Sequence, residues 1–280
     1  MKLTLGLMGA GISRSRMPQL QVYLGSQVGL DIGYQLIDGD IEPGFDPVEE
    51  IHHLITKGYH GINVTHPYKQ RIYPLVTQII VEGHENIGSY NTLVFNSDGI
   101  AGANTDYSGF ISGYRYRLGD MAPGKVVICG AGGVGRAVAF GLAKLGASQI
   151  SIYDVVNSQA QSLSNALQAA GFNACCTTAD TLDNAIAEAD GLLNCTAIGM
   201  HHHPGSPFSL SAIESQKWAF DAVYTPNKTE FIEHCRLKGL RCLSGFDLWI
   251  FQGLDAFRLF TGHDIEVTDA IISKTFEWLS

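Results

Sequence analysis

The sequence predicts an α/β protein of two domains, and three observations support this prediction. The chain has 280 residues, and a typical domain has about 150. Short β-branched or apolar runs alternate with longer amphipathic runs, as in βαβ units that build a mostly parallel sheet. Hydrophobic residues make up 45% of the chain and charged residues 16%, so a sizeable core can form and a disordered chain is excluded.

The first half of the chain combines strand and helix patterns with clear turn signals. Pro18 and Pro47 suit the first turn of a helix, where the N–H that proline lacks would have no partner in any case. Residues 96–99, Asn-Ser-Asp-Gly, predict a tight hairpin turn between two short apolar runs. The predicted strands cover residues 3–8, 32–37, 61–65, 90–95 and 100–103, and the predicted helices cover residues 18–28, 47–57 and 69–76.

A second βαβ series begins near residue 125. Residues 119–124, Gly-Asp-Met-Ala-Pro-Gly, form the clearest linker of the sequence. The predicted strands cover residues 126–129, 149–153, 174–177, 191–195 and 218–223, and the predicted helices cover residues 133–145, 158–170, 182–187, 248–260 and 267–279. No internal repeat of about 20–50 residues is visible, so a solenoid is excluded.

Charge and cysteine usage narrow the classes of partner and compartment. The chain has 18 Lys and Arg against 27 Asp and Glu, a net charge of −9, and it lacks a basic run, so nucleic acid and anionic membranes are poor partners. No apolar run reaches the roughly 18 residues of a membrane span, and the first residues read as a strand rather than a signal peptide. We therefore expect a cytoplasmic protein, monomeric or homodimeric. Its six cysteines show no Cys-x-x-Cys spacing and are expected to be reduced.

The strongest local motif is a glycine-rich loop that follows one predicted strand and opens a helix. Its residues are Gly130, Ala131, Gly132, Gly133, Val134 and Gly135. In this context Gly-x-Gly-x-x-Gly permits a tight turn and lets backbone N–H groups and a helix N-terminus meet a pyrophosphate. These residues predict a Rossmann-type dinucleotide site, and the alternative is a purely structural glycine turn.

The end of the next strand bears on which dinucleotide binds. Asp154 lies 24 residues after Gly130, and residues 155–163 contain neither Lys nor Arg. A carboxylate there can bond the ribose hydroxyls of NAD, whereas the 2′-phosphate of NADP would meet a negative charge and no cation. The sequence therefore predicts NAD rather than NADP. As a simple helix cap, Asp154 would leave the choice undecided.

Polar residues also follow predicted strands in the first half of the chain. Lys69 and Asp106 supply one cation and one anion, and Asn91 with its neighbours supplies neutral donors. Such a set suits a small polyhydroxylated substrate next to a nicotinamide. Three adjacent histidines, residues 201–203, precede a Pro-Gly-Ser-Pro loop. We expect no metal site there because adjacent side chains rarely point at one ion.

Several of these motifs, in this order, closely resemble the shikimate and quinate dehydrogenase family. The matching pieces are residues 9–18, 63–69, 91–92, 104–106, 130–135, 194–200, 221–226 and 252–253. The resemblance implies an N-terminal α/β substrate domain and a Rossmann-type NAD-binding domain with a deep cleft between them. The expected substrate domain comprises residues 1–108 and 247–280, and the expected dinucleotide domain comprises residues 109–246.

The resemblance implies an enzyme that interconverts shikimate or quinate and the 3-dehydro acid by hydride transfer. Lys69 and Asp106 match the family's catalytic pair, which can exchange the hydroxyl proton as hydride leaves the carbon. The positions that match substrate-binding residues are Ser15, Thr65, Asn91, Tyr224 and Gln252. On the cofactor side, Thr196 and Gly245 match. Asn63, Thr92 and Asn104 are expected to support the site without contacting substrate.

Two departures from the family pattern affect the choice of substrate. The loop at residues 9–18 usually reads Ser-x-Ser-Pro, and here Ser15 takes the first position but Met17 takes the second. A thioether cannot donate a hydrogen bond to a substrate carboxylate. Ser13, Arg14 or Arg16 could replace the lost donor, or both arginines could face solvent. At residues 245–248 the chain reads Gly-Phe-Asp-Leu where the family tends to have Gly-x-Gly-Met, so that loop is expected to pack differently.

Two alternatives to shikimate or quinate turnover therefore stay open. One is a dehydrogenase of the same fold for another cyclic hydroxy or amino acid. The other is a non-catalytic NAD-binding regulator, against which the presence of both Lys69 and Asp106 argues.

Overall fold

The computed structural model describes residues 2–41, 44–81 and 85–278, and the chain divides into two compact units. The first unit contains the chain up to Thr105 together with Gln252–Trp278, and the second contains Asp106–Phe251. The chain therefore changes unit at 105/106 and 251/252, whereas the sequence analysis placed the borders at 108/109 and 246/247. The assignment of substrate and dinucleotide roles to these parts stays a prediction.

Both units alternate strands and helices, as the sequence pattern predicts. The strands are β1 (Lys2–Gly9), β2 (Asp31–Asp38), β3 (Gly61–Val64), β4 (Gln78–Ile79), β5 (Thr92–Asn96), β6 (Gly99–Ala103), β7 (Lys125–Cys129), β8 (Gln149–Tyr153), β9 (Ala174–Cys176), β10 (Gly191–Asn194), β11 (Trp218–Asp221) and β12 (Arg241–Leu243). The α-helices are α1 (Met17–Gln27), α2 (Pro47–Thr56), α3 (Thr105–Leu118), α4 (Gly133–Lys144), α5 (Asn157–Ala169), α6 (Ala179–Ala187), α7 (Glu230–Leu237), α8 (Gly245–Thr261) and α9 (Asp269–Glu277).

The sheet of the first unit is mixed. Its strand order is β2-β1-β3-β5-β6-β4, in which β1 runs parallel to β2 and β3, while β5 is antiparallel to β3 and β6. The predicted hairpin therefore forms between β5 and β6. A core cluster that includes Met8, Leu54 and Ile62 packs on this sheet. The carboxyl ends of β1 and β3 meet at one edge, where loops that carry polar residues begin.

The sheet of the second unit is parallel throughout. Its order is β12-β11-β10-β7-β8-β9, which is the doubly wound arrangement with helices as crossovers between parallel strands. The carboxyl ends of β7, β8, β10 and β11 therefore lie at the same edge. Trp218 is fully buried in β11 and packs edge-on against Tyr114 of α3, with ring centroids 5.1 Å apart. A parallel sheet of this kind needs such cover on its faces.

One predicted helix does not form. Residues 69–76 contain turns followed by a short 3-10 helix at Tyr73–Leu75, not an α-helix. Pro74 has no N–H to donate to the carbonyl four residues earlier, and a segment this short gains too few hydrogen bonds to offset helix nucleation. The sequence analysis also missed α3, α7, β4 and β12. Helix α3 includes Gly109 and Gly113 and shows weak amphipathic periodicity.

Two further predictions concern the linker at residues 119–124 and the end of the last helix. Residues 119–124 form a loop within the second unit, where Trp218 Nε1 donates to Pro123 O at 3.1 Å and Tyr114 OH donates to Met121 O at 2.9 Å. This segment therefore does not separate the units. The last predicted helix extended to Leu279, which lies outside the described residues. No helix in the described part of the chain is long and apolar enough to cross a membrane.

Candidate active site

In the first unit, a buried polar network joins three side chains from distant parts of the sequence. Asn91 Oδ1 accepts hydrogen bonds from the N–H of Thr105 at 2.6 Å and from the Thr105 hydroxyl at 3.2 Å. The same hydroxyl lies 3.4 Å from Gln252 Oε1 of α8. Among the described residues, Asn91 Nδ2 makes no hydrogen bond. The network therefore fixes the Asn91 amide with its two N–H groups available for a ligand oxygen.

Three further residues extend this network by hydrogen bonds. Thr92 Oγ1 lies 3.1 Å from the Thr105 hydroxyl. Asn63 Nδ2 donates to Thr92 Oγ1 at 3.0 Å, and Tyr34 OH donates to Asn63 Oδ1 at 2.7 Å. Asn63 and Thr92 thus bond to protein groups around Asn91, and their supporting role stays a prediction. Burial raises the pKa of the Tyr34 phenol well above its usual value, so this residue stays a hydrogen-bond donor.

Lys69 and Thr65 follow strand β3 in the first unit. The Thr65 N–H donates to the Met8 carbonyl at 2.8 Å, and its own carbonyl accepts from Tyr68 N at 3.0 Å, so the turn after β3 has a defined shape. Lys69 is only 9% exposed. Lysine is rarely this buried without a partner, and Lys69 does make an interaction. The structure therefore excludes a solvated helix position for Lys69.

Asp106 lies in the first turn of α3, directly after Thr105 of the polar network, and is 7% exposed. A carboxylate is favoured at a helix N-terminus because the backbone N–H groups there carry partial positive charge. The backbone of its neighbour Thr105 is fixed by Asn91. The start of α3 is therefore held in place by the same side chain that offers a donor to a ligand.

In the loop at residues 9–18, Ser15 is partly exposed whereas Met17 is buried. The Oγ of Ser15 accepts from the Met17 N–H at 3.3 Å. Met17 is 4% exposed, and Gln21 Nε2 lies 3.6 Å from its sulfur. Arg14 and Arg16 are exposed, and neither makes an ion pair within the part of the chain that is described. Met17 is therefore a packing residue of α1, and of the two positions that carry hydroxyls in the family pattern only Ser15 has one.

Sequence analysis missed the residue that anchors this loop. Asp38, the last residue of β2, accepts from the N–H groups of Gly11 and Ile12, each at 2.9 Å. Its partners lie 26 and 27 residues earlier in the chain, so no local motif could reveal it. The β1–β2 pairing brings Gly9 opposite Asp38 and creates this contact.

The predicted dinucleotide loop in the second unit has the backbone that its glycines allow. Gly130 has a φ of 98°, and a Cβ there would lie 2.7 Å from the Cys195 carbonyl. A Cβ on Gly135 would collide with the carbonyl oxygen of Gly130, whereas a Cβ on Gly132 would meet no protein atom within 4 Å. Helix α4 begins at Gly133 without a side-chain cap. The loop thus leaves open space beside uncapped backbone N–H groups, which suits a pyrophosphate.

Asp154 lies at the carboxyl end of β8 beside this loop. Its carboxylate accepts from Ala131 N at 2.7 Å and from Val156 N at 2.8 Å. Helix α5 begins three residues later, at Asn157, and its N-cap residue is Val156, which provides no side-chain cap. Asp154 is therefore not the N-cap of α5, and its charge faces the glycine loop. Val155 is 83% exposed and offers no cation to a phosphate.

The remaining predicted residues of the second unit follow β10 and β11. Thr196 donates to Asn194 Oδ1 through its N–H at 3.0 Å and through its hydroxyl at 2.7 Å. Burial raises the pKa of Tyr224. A Cβ on Gly245, the first residue of α8, would lie 2.7 Å from the carbonyl carbon of Val223 and collide with Ala222 O. Only glycine therefore permits this approach of α8 to the segment after β11.

The second departure from the family pattern has a structural role. Asp247 is 2% exposed and accepts from Ser244 N at 2.9 Å, which caps the start of α8. Arg117 Nε donates to the same carboxylate at 2.8 Å. Helix α8 thus begins with a capping carboxylate and an ion pair where the family tends to have glycine.

The structure brings Asn91 and Gln252 together through Thr105, and it places Ser15, Thr65 and Lys69 in the same unit. It places the glycine loop, Asp154, Thr196, Tyr224 and Gly245 in the second unit. The three histidines lie in an exposed loop, where the carbonyl of His203 accepts from Gly199 N at 2.7 Å. Within the described ranges, no group of three or more His, Cys, Asp or Glu residues could hold a metal ion.

Two family models match the chain. The shikimate dehydrogenase substrate binding domain matches residues 7–93, and the alanine dehydrogenase/PNT C-terminal domain matches residues 100–205. The first match covers the end of β1, strands β2 and β3, the loop with Ser15, and both Lys69 and Asn91. The second covers α3, the glycine loop and Asp154.

Whole-length relatives and a solved structure agree with these matches. The quinate/shikimate dehydrogenase (NAD(+)) of Corynebacterium efficiens is 37% identical over 270 residues, which cover 95% of each chain. The shikimate dehydrogenase (NADP(+)) of Streptomyces avermitilis is 36% identical and covers 92% of this chain and 90% of its own. The structure of quinate dehydrogenase from Corynebacterium glutamicum in complex with NAD superposes with a TM-score of 0.91, 35% identity and 99% coverage of both chains. The chain therefore belongs to the quinate/shikimate dehydrogenase family.

Proposed function

We propose that this protein is an NAD-dependent oxidoreductase that interconverts shikimate or quinate and the corresponding 3-dehydro acid. The observation that carries the proposal is the fixed Asn91 amide, which offers its N–H groups within a unit that also contains the mostly buried Lys69. The relatives of similar length are named for this reaction. A polyhydroxylated acid needs such preorganised donors, because each ring hydroxyl must exchange its bonds to water for bonds to the protein.

Lys69 and Asp106 are the residues that we propose for proton transfer. When a hydride leaves a secondary alcohol carbon, the hydroxyl oxygen must lose its proton, and the reverse reaction must return it. An ammonium group can stabilise the developing alkoxide and exchange the proton, and a carboxylate can orient that ammonium group. Both side chains are mostly buried, with 9% and 7% exposure, so neither group would be fully screened by water.

Substrate orientation is the role that we propose for five other residues. Asn91 Nδ2 and the Gln252 amide would bond ring hydroxyls, because the network through Thr105 holds both amides in place. Ser15 and Thr65 follow the ends of β1 and β3 and carry hydroxyls for the same substrate. Tyr224 would face the substrate from the segment after β11.

NAD would be held by the glycine loop and Asp154. The residues 130–135 leave room for the pyrophosphate at the start of α4, and Asp154 would accept from the ribose hydroxyls. When bound, the nicotinamide supplies the hydride acceptor or donor. Thr196 and Gly245 lie on the two segments that we assign to the nicotinamide side. The lack of Lys and Arg in residues 155–163, which follow Asp154, favours NAD over NADP, because a 2′-phosphate would meet the carboxylate and no cation from this segment.

Steady-state kinetics test this proposal directly. Shikimate and quinate are each assayed against NAD and NADP, with the Lys69→Ala variant, purified in the same way, as the control for contaminating host enzymes. We expect turnover of at least one acid with NAD and a higher kcat/KM for NAD than for NADP. Turnover equal to that of the control with both acids would contradict the function, and preference for NADP would contradict the cofactor assignment alone.

A different ring acid is the second candidate, and the position of Met17 favours it. Met17 packs inside α1, so the loop at residues 9–18 keeps only Ser15 of the two hydroxyls expected for a substrate carboxylate. Loss of one hydrogen bond to a charged group costs about 1.5–3 kcal/mol. A panel of other cyclic hydroxy and amino acids separates the candidates: a higher kcat/KM for one of these acids than for shikimate and quinate would favour the second.

The compartment and assembly state complete the proposal. We propose a cytoplasmic enzyme that acts as a monomer or a homodimer, with the substrate bound mainly by residues 1–108 and 247–280 and the dinucleotide by residues 109–246. The excess of 27 acidic over 18 basic residues argues against a nucleic acid partner. Light scattering coupled to gel filtration measures the assembly state, and a species larger than a dimer would contradict this part of the proposal.

A further inference from the structure

Asp221 is a fully buried carboxylate to which the proposed reaction gives no role. It is the last residue of β11 and is 0% exposed. Its Oδ1 accepts from Asn194 Nδ2 and from Val223 N, each at 2.9 Å, and its Oδ2 accepts from the Thr229 hydroxyl at 2.6 Å. All three partners are neutral donors. Burial of a carboxylate costs more free energy than burial of a neutral residue. The presence of a carboxylate at this position therefore requires an explanation.

The first donor leads to the segment that carries Thr196. Asn194 donates to Asp221 and to the Ile198 carbonyl, at 2.9 and 2.8 Å, through the same amide nitrogen. Its oxygen accepts from the Thr196 N–H and hydroxyl. The Thr196 hydroxyl in turn accepts from Ile198 N at 3.0 Å. The orientation of the Asn194 amide therefore sets the backbone of residues 194–198, and Asp221 determines that orientation by requiring a donor.

The second donor leads to the segment that carries Tyr224. Val223 N points at Asp221 Oδ1, which fixes the turn after β11 immediately before Tyr224. Gly245 packs against the backbone of Ala222 and Val223 so closely that no Cβ could fit. The turn held by Asp221 is therefore also the surface on which α8 begins.

The third donor explains why a carboxylate is needed. Thr229 caps α7 by accepting from Ile232 N at 3.2 Å, so its hydroxyl hydrogen is free to go to Asp221 Oδ2. Both oxygens of Asp221 must then accept, which an ionised carboxylate can do and an amide cannot. Burial raises the pKa of Asp221 to about 6, against the opposing effect of these three hydrogen bonds. At neutral pH the carboxylate is thus mostly ionised.

We propose that Asp221 is a positioning residue that holds residues 194–198 and 222–224 in the single arrangement needed at the nicotinamide end of the dinucleotide site. The inference rests on the proposed function, because it assigns Thr196, Tyr224 and Gly245 to that end. Asp221 touches neither substrate nor cofactor in this account. It acts through Asn194 and the Val223 N–H.

The test compares two ligands that share the adenosine and pyrophosphate but differ at the nicotinamide. ADP-ribose lacks the nicotinamide, so the Asp221→Asn variant should bind it within twofold of the wild type by calorimetry. The same variant should lose at least tenfold in kcat, and the fluorescence of bound NADH should move toward that of free NADH. Asp190→Asn is the matched control, because Asp190 accepts from Lys125 N at the opposite end of the sheet. Loss of the Asp190 carboxylate should leave kcat and NADH fluorescence unchanged.

A second pair of variants covers the case in which Asp221→Asn does not fold. Thr229→Val removes the 2.6 Å donor but keeps the carboxylate, and Thr229→Ser keeps the donor. We expect Thr229→Val to lose less kcat than the tenfold expected for Asp221→Asn, and Thr229→Ser to keep the kcat of the wild type. Equal weakening of ADP-ribose and NADH, or unchanged kcat, would show a merely structural Asp221 and overturn the inference. Failure of the wild type to bind either ligand would overturn the proposed function as well.

Discussion

The backbone N–H of Thr105 donates a 2.6 Å hydrogen bond to the side-chain oxygen of Asn91. This bond settles which end of the Asn91 amide faces the protein and which faces away. It also fixes the first residue of α3, whose next residue is Asp106. One contact therefore orients a donor for the substrate and the start of the helix that carries the proposed catalytic carboxylate, before any ligand binds.

Asn91→Asp tests the role of the amide nitrogen. The substituted side chain still offers an oxygen to Thr105 but lacks the N–H groups, so the fold should persist while the substrate loses a donor. We expect kcat/KM for the acid to fall about 10–100-fold, mainly through KM, which corresponds to the loss of one buried hydrogen bond. Asn96→Asp, in the exposed turn between β5 and β6, is the control. Similar kinetics for the two variants would rule out the assignment.

Lys69→Ala tests the proposed proton transfer. Removal of a general acid–base group should lower kcat by at least about 100-fold. The affinity for NAD, measured by calorimetry, should stay unchanged because the glycine loop belongs to the other unit. Lys57→Ala removes an exposed lysine after α2 and serves as the control. A kcat within threefold of the wild type would show that Lys69 does not act in proton transfer.

Gly132→Ala and Gly135→Ala should fail in different ways. A methyl group on Gly132 meets no protein atom within 4 Å, so the variant should keep its melting temperature but bind NAD at least tenfold more weakly. A methyl group on Gly135 collides with the Gly130 carbonyl, so this variant should also unfold at a lower temperature. Thermal denaturation and calorimetry measure both effects. Wild-type NAD affinity in Gly132→Ala would show that the open space is not the pyrophosphate site.

Asp221 should make stability depend on pH. Its pKa is raised to about 6 from 3.8 by burial, so the folded protein binds this proton more tightly than the unfolded chain does. The contribution to stability is therefore greatest below pH 3.8 and is lost as the pH rises through about 6. The difference corresponds to about 3 kcal/mol.

Urea denaturation between pH 4 and pH 7 checks this prediction. Because an amide does not titrate in this range, the Asp221→Asn variant should lack this part of the pH dependence. The free energy of unfolding of the wild type should therefore decline with rising pH relative to that of the variant. Parallel pH profiles for the two proteins would show that the Asp221 pKa is not raised by folding.

Much of the fold was predictable because its signals are local. The strand at residues 149–153 has the bounds that the sequence predicts, since a short apolar run lies between a glycine-containing turn and an aspartate. Helix α3 was missed because Gly109, Gly113 and its aromatic residues weaken the periodic pattern. The prediction of a helix at residues 69–76 was wrong because Pro74 interrupts the helical hydrogen bonds of this short segment.

The candidate site was predictable where its residues are contiguous or match a family motif. The glycine loop is a single run of six residues, and its backbone has the φ and close contacts that its sequence requires. Asp38 carries no such signal, because its role depends on N–H groups brought near by strand pairing. Asp221 belongs to the matching piece 221–226, but the motif does not reveal its role, which depends on donors brought near by strand pairing and by the turn after β11. The packing of Met17 inside α1 likewise depends on Gln21 and on the chain near Gly253.

The contact between Gln21 and Gly253 affects the order in which the protein can fold during synthesis. Gln21 Nε2 donates to the Gly253 carbonyl at 2.8 Å, across 232 positions of sequence. A ribosome makes residues 2–105 first, but this part of the first unit must wait for Gln252–Trp278. The second unit is continuous from Asp106 to Phe251, so all of its strands leave the ribosome earlier. We therefore expect the second unit to complete its fold before the first, which reverses the usual order in which the N-terminal domain folds first.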